Sequence, residues 1–214
     1  MTLHNRQAME DTHKTPIYHI THVNNLRAIV EAGALLSDDQ MRADEGHVAI
    51  GYRHIKARRM SLPVSCAPGT TVGQYVPFYF CPRSIMLYIA HKRHDELDYR
   101  QGQEPIVHLV SSIGAACQQN RPHVFTTSNA GAHLTDFYTD WKDLDKIGWN
   151  AVRSRDWHDC KEAKQAEFLM YERFDWTAIQ QIGVYGLDIK RQVDDILVQA
   201  VHRPGVRTKR EWYY

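Results

Sequence analysis

The feature that most constrains this chain is the run Tyr75-Val76-Pro77-Phe78-Tyr79-Phe80, in which aromatic and β-branched side chains fill successive positions without a charge. A strand with one wet face alternates apolar and polar, so a run that is apolar at both parities must be covered on both sides. Cys81-Pro82 closes it, and Ser84 to Lys92 then reads as a helix. The chain is thereby committed to a sheet with packing on each face, which takes many residues to bury. It has 214 of them, enough for one substantial domain that hides roughly 70% of its unfolded surface without staples. With 43% hydrophobic and 24% charged residues, collagen-like, low-complexity and wholly disordered classes are excluded.

Other segments add strands and helices in mixed order. Ile17 to His22 reads as a strand, followed by an Asn pair able to cap a helix from Leu26 to Ala32, with Gly33 as its stop. From Leu36 to Gly73 the apolar period is lost, which predicts a long functional loop region with a short helix around His54 to Met60. Ile106 to Val110 and His123 to Thr127 read as interior strands, and Thr135 to Trp157 as short helices and turns packed by aromatics. Lys161 to Glu172 is rich in helix formers, yet Phe168 to Tyr171 suits a strand equally well. Ile179 to Tyr185 predicts a strand, Gly186 its stop, Asp188 to Val201 a helix with an Asp cap, and Val206 to Tyr214 a final alternating segment. The pattern is that of an α+β fold in one domain over residues 16–214. Residues 1–15, polar and of mixed charge, read as a flexible leader and not as a secretory or transit signal.

Several chemistries have no support. No apolar run is long and unbroken enough for a membrane helix, so no membrane span is expected, while the leader and the free thiols read as those of a cytoplasmic protein. The formal net charge of +1 does not announce nucleic-acid binding, which leaves that to local patches. Cys66, Cys81, Cys117 and Cys160 are far apart, with no zinc-finger spacing, and read as free thiols. The nucleotide, zincin and serine-hydrolase motifs are missing, and no metal is expected.

Tyr18-His19-Ile20-Thr21-His22, followed by Asn25-Leu26, Ile29 and Gly33, resembles the first strand and helix of ADP-ribosyltransferases of the poly(ADP-ribose) polymerase and diphtheria-toxin type. The run 75–80, Arg155-Asp156-Trp157, Gln165-Ala166-Glu167 and Trp212-Tyr213-Tyr214 narrow the match: together they are similar to the DarT family, bacterial toxins that ADP-ribosylate bases in single-stranded DNA. The resemblance spans about Pro16 to Tyr214 and implies a central split mixed β-sheet flanked by helices, with NAD as substrate. It also implies that Ala166 to Met170 begins a strand.

Breaking the bond between ribose and nicotinamide builds positive charge on the sugar, which a carboxylate stabilises and whose 2′-hydroxyl it can hold. Glu167 resembles the family's catalytic Glu; its ordinary alternative is a solvated helix glutamate. An arginine fork matches the NAD pyrophosphate, and Arg59 best matches the family's NAD-contacting arginine, with Arg58 one residue away as the alternative. His19 and His22 lie three apart on a strand and face opposite sides, so at most one faces the pocket. Thr21 and Asn25 complete the implied NAD-binding set.

On the acceptor side Tyr75, Met86 and Arg155 resemble positions lining the family's base-binding groove, where a side chain stacks on an unpaired base. Tyr75 and Met86 are equally compatible with the core. Arg53, Lys56, Arg58 and Arg59, with Arg203, Arg207, Lys209 and Arg210, are candidates to track phosphates or else solvated faces. The resemblance implies ADP-ribose transfer to thymine first and guanine second in single-stranded DNA, and a cognate ADP-ribosyl-removing, DarG-like antitoxin. The alternatives are transfer to protein or RNA, and a catalytically silent NAD- or nucleic-acid-binding module.

Overall fold

A computed structural model describes residues 12–43, 46–132 and 134–214. Its centre is an eight-stranded sheet in the order β10-β9-β4-β1-β3-β7-β5-β6. The strands are β1 (Pro16–His22), β3 (Tyr75–Tyr79), β4 (Ile106–Ser112), β5 (His123–Thr126), β6 (Phe137–Tyr138), β7 (Glu167–Tyr171), β9 (Gln181–Val184) and β10 (Gly205–Thr208). A separate ribbon pairs β2 (Ala34–Leu36) with β8 (Arg173–Asp175). The helices are α1 (Leu26–Ala32), α2 (Arg53–Arg59), α3 (Ile85–Lys92), α4 (Ile113–Cys117), α5 (Trp149–Arg153) and α6 (Leu187–Leu197). All main-sheet pairings are antiparallel except β9 with β10, so the sheet is mixed.

The sheet is nearly two. β1 and β4 are zipped from Pro16↔Ser112 to His22↔Ile106, and β3 and β7 from Tyr75↔Tyr171 to Tyr79↔Glu167. Between these halves only Tyr18↔Tyr79 is in register. Beyond that point β1 and β3 diverge and leave side chains of both free to line a cleft.

The run 75–80 is buried as its pattern requires, with Val76 and Phe78 inaccessible and Phe78 against Phe168 and Phe174. The ambiguity at 161–172 resolves as strand: Phe168, Leu169 and Met170 are all fully buried, so both parities find cover and this packing outweighs helix propensity.

Three local expectations need correction. Asn25 makes no cap bond to α1, because its side chain is engaged elsewhere, and Gly33 ends that helix in the left-handed region at φ 65°. The N-cap of α6 is Gly186, while Asp188 sits in the first turn, where the helix dipole favours an acid, and pairs with Arg191. Of the leader 1–15, residues 1–11 lie outside the described residues; Thr15 already belongs to the domain, its carbonyl accepting from the Ile113 N–H at 3.0 Å.

After β10 the chain folds back over the sheet. Trp212 packs edge-on against Tyr18 and His108 in space left by Gly183, where a Cβ would collide with the indole. The buried Tyr213 hydroxyl donates to the Ile106 carbonyl at 2.8 Å. Tyr214 donates its N–H to Gln103 Oε1 and its hydroxyl to the Arg83 carbonyl just before α3. Among the described residues no helix is long and apolar enough to cross a membrane.

Candidate active site

A cavity of about 230 Å³ opens where β1 and β3 part, walled by β1, α2, α3 and the 47–52 segment and floored by the start of β7. Strand alternation places His19 and Thr21 on its lining and turns His22 away. His19 Nδ1 lies 2.8 Å from the Pro77 carbonyl, which can only accept, so Nδ1 carries the proton and Nε2 is a bare acceptor. Burial pushes the His19 pKa down to about 4, so the ring is neutral at neutral pH.

Asn25 stands behind this wall. Its Nδ2 donates to Thr21 Oγ1 and to the Val48 carbonyl, both at 3.0 Å, and its Oδ1 accepts from the Val48 N–H at 2.8 Å. Asn25 therefore holds the 47–52 segment and orients Thr21, and does not itself line the cavity. His22 also leaves the expected binding set: Nε2 donates to Gln101 Oε1 at 2.9 Å, while Nδ1 accepts from the Asn24 N–H. It serves as a turn cap.

Arg59 and Glu167 form the floor. They are 8% and 1% exposed, with Arg59 Nη1 at 3.0 Å from Glu167 Oε2 and 3.3 Å from Oε1. Oε2 also accepts from the Ala130 N–H at 2.8 Å, and the Glu167 N–H donates to Thr126 Oγ1 at 3.1 Å. The carboxylate is thus fixed through Oε2, leaving Oε1 with one long contact. Burial alone would lower the Arg59 pKa, but the Glu167 charge and hydrogen bond reverse this and raise it, so the guanidinium stays charged. Among the described residues its Nη2 is buried without a hydrogen-bond partner. Arg58 is half-buried and does not line the cavity, which separates the two adjacent arginines.

Residues missed by sequence reasoning complete the lining. Tyr79 lies directly across the β3–β7 ladder from Glu167, and its phenol pKa is raised by burial and by that carboxylate. Asp38 and Lys56 pair at 2.9 Å on the rim, with Asn129 and Gln165 near the floor. Tyr79 shares the strand parity of Pro77, so alternation within the run 75–80 was the signal that could have found it. Asp38, Asn129 and Gln165 come from irregular segments that carry no such period.

The acceptor set divides. Met86 lines the cavity from α3. Tyr75 does not reach it: the side chain is 1% exposed, its hydroxyl is 3.0 Å from Thr70 Oγ1, and its ring stands edge-on to Tyr171. It is core, because β3 carries it past the covered end of the sheet. Arg155 is exposed just beyond the Ser154 cap of α5 and outside the cavity lining. The expected basic stripe is largely spoken for, with Arg53 on Asp98, Lys56 on Asp38 and Arg59 on Glu167. Lys209 pairs with Glu211, Arg203 holds the Val198 and Ala200 carbonyls, and Arg210 lies over the Tyr185 ring. No group of three metal-ligating side chains occurs among the described residues.

Known proteins resemble this chain along nearly its whole length. A family model described as "ssDNA thymidine ADP-ribosyltransferase, DarT" matches residues 18–214. A DNA ADP-ribosyl transferase of Thermus aquaticus is 42% identical over 202 residues, covering 94% of this chain and 89% of the relative. One from Escherichia coli is 30% identical, with 94% of each chain covered. Among solved structures, Thermus sp. 2.9 DarT in complex with ADP-ribosylated ssDNA superposes with a TM-score of 0.87 at 40% identity, covering 94% of this chain and 96% of that one. The same protein in complex with NAD+ gives 0.80 at 38% identity, with 94% and 98% covered.

Proposed function

This chain belongs to the DarT family of single-stranded-DNA thymidine ADP-ribosyltransferases, and we propose that it transfers ADP-ribose from NAD to a thymine base through the Glu167–Arg59 floor of its cavity. The observation that carries the reading is a buried carboxylate anchored through one oxygen beside a charged guanidinium whose Nη2 has no hydrogen-bond partner among the described residues. A buried, unpartnered donor on a residue that lines a cavity suits an anionic ligand, and the NAD pyrophosphate supplies one.

In this reading His19 Nε2 and Thr21 Oγ1 hold NAD hydroxyl groups from the β1 wall, His19 as acceptor because its proton sits on Nδ1. Arg59 Nη2 donates to NAD while Nη1 keeps Glu167 in place. Glu167 Oε1 accepts from the ribose 2′-hydroxyl, stabilises positive charge as the bond to nicotinamide breaks, and helps take the proton from the attacking base. Because the charge is fixed before reaction, little reorganisation is needed when it develops. Met86 and Arg155 serve the acceptor, and a single strand avoids the cost of unpairing the base. Guanine is the second choice of base. A cytoplasmic setting and neutralisation by an ADP-ribosyl-removing antitoxin follow from the same reading.

The test offers NAD with thymine-containing single-stranded oligonucleotides of varied sequence, the matching duplexes, RNA and protein, and maps the product by mass. Base-linked ADP-ribose on the single strand is expected, falling as salt rises. Arg155→Ala should lose DNA modification more than NAD hydrolysis. Labelling of protein or RNA alone would replace the DNA reading, and NAD binding without turnover would make the chain a silent module.

A further inference from the structure

We propose that Lys164 is a positioning residue that holds the acceptor-side side chains in register with Glu167, an inference that rests on the function just given. Lys164 is 2% exposed, and its ammonium has three donors to satisfy. Nζ lies 2.9 Å from the Val152 carbonyl, 2.8 Å from the Ser154 carbonyl and 3.7 Å from Cys81 Sγ. No carboxylate within ion-pairing distance neutralises it among the described residues. A buried cation held only by dipoles is a costly choice for packing, and an apolar side chain of similar length would fill the same space more cheaply. What an apolar chain cannot do is hold three separate segments at once.

Each of those segments leads into the proposed site. Val152 and Ser154 end α5, where the dipole favours a cation, and the next residue is Arg155. Cys81 follows β3 and passes its own S–H to the Arg83 carbonyl at 3.6 Å. Ser84 then caps α3 by accepting from the Leu87 N–H, so this turn sets where Met86 stands. The third segment is the backbone of Lys164 itself, which continues through Gln165 on the cavity lining to Glu167. Arg155, Met86 and Glu167 thus radiate from one ammonium.

The donor side does not depend on it. Glu167 is held by Arg59, Ala130 and Thr126, and His19 by Pro77, and among the described residues none of these is a hydrogen-bond partner of Lys164. Losing the ammonium should loosen the acceptor side while leaving NAD handling in place. Misplacement of about 1 Å can cost on the order of a hundredfold in rate, so a partial shift of Arg155 and Met86 predicts at least a roughly tenfold effect.

The experiment compares wild type with Lys164→Met in two assays on the same folded protein: NAD hydrolysis without DNA, and transfer to a thymine-containing single-stranded oligonucleotide. Lys164→Met should keep hydrolysis and the KM for NAD within about threefold while the ratio of transfer to hydrolysis falls roughly tenfold or more, with the KM for DNA raised. A merely structural role would lower both activities in parallel with thermal stability. That parallel loss, or an unchanged ratio, overturns the proposal. If Lys164→Met shows no cooperative unfolding, Lys164→Arg keeps the charge but not the point-like reach to all three partners, and the same criteria apply. Failure of both variants to fold overturns the proposal too, since the residue is then needed for the fold itself. A wild type that hydrolyses NAD but modifies no oligonucleotide removes the function reading and this role with it; an active wild type with parallel losses in the variants removes this role alone.

Discussion

Replacing Glu167 by Met, uncharged and of similar volume, leaves Arg59 buried beside a missing partner. Breaking a buried pair from one side costs about 3–5 kcal/mol. Arg59 borders an open cavity whose water can reach part of the guanidinium, so the lower figure, about 3 kcal/mol, is expected. For a chain of this size that lowers Tm by roughly 6–12 °C. Arg59→Met should cost a similar amount, now by stranding the carboxylate. The double variant is the informative one. Replacing a whole buried pair by apolar groups commonly gains about 1–4 kcal/mol, but here the Ala130 N–H loses its acceptor, at about 1–3 kcal/mol. The two nearly cancel, so the double variant should sit within about 1 kcal/mol of wild type and well above either single variant. Transfer should fall by at least about a hundredfold in all three, since losing a single preorganised group already costs about 10²–10³. Urea unfolding gives the stabilities and single-turnover transfer gives the rates. A double variant less stable than either single one would refute the account of the pair, and transfer by Glu167→Met near the wild-type rate would refute its catalytic role.

Two further outcomes are expected. His108 is fully buried with its pKa pushed down to about 4, so between that value and about 6.5 the unfolded chain binds a proton that the native chain refuses. The stability it contributes is complete above about pH 6.5 and is lost as pH falls toward 4; about 2 kcal/mol should disappear between pH 7 and pH 5 on its account, and His19, held down to the same value, should add about as much, so a flat urea midpoint across that range would contradict it. Tyr75→Phe should cost about 1 kcal/mol by removing the bond to Thr70 and leave the transfer rate unchanged, whereas a tenfold loss of transfer in a folded variant would return Tyr75 to the acceptor site.

The strands and helices with a clean period were legible in the sequence: β1, β3, α1 and α3 stand within a residue or two of where alternation and glycine stops predict. The family resemblance added what period could not, that Glu167 opens a strand, because the helix formers before it compete with a tertiary packing invisible to local propensity. The resemblance favoured Arg59 over Arg58, but period cannot separate adjacent identical residues; the pitch of α2 against β7 is what brings Arg59 to Glu167. Tyr75 misled because a strand residue of the right parity still needs the right depth along the strand. Asn25 and His22 bind protein where NAD contacts were expected, since the partners that claim them, Val48 and Gln101, are distant in sequence. Asn129 and Gln165 lie in segments whose shape is set wholly by what they pack on.

The return of residues 209–214 over the sheet bears on when this enzyme becomes active during its own synthesis. The first strand of the chain is central, yet its neighbour β4 pairs on the other side with β9, and the ring cluster over both is completed only by Trp212 and Tyr213. Helix α3, which brings Met86 to the cavity, has its first turn pinned by Tyr214. A nascent chain lacking these residues has β1, β3 and α2 available but no complete backing for the acceptor wall. Since domains form as units once their long-range contacts can close, transfer activity should require residues 212–214 in place, and a variant that stops before Trp212 should lose it.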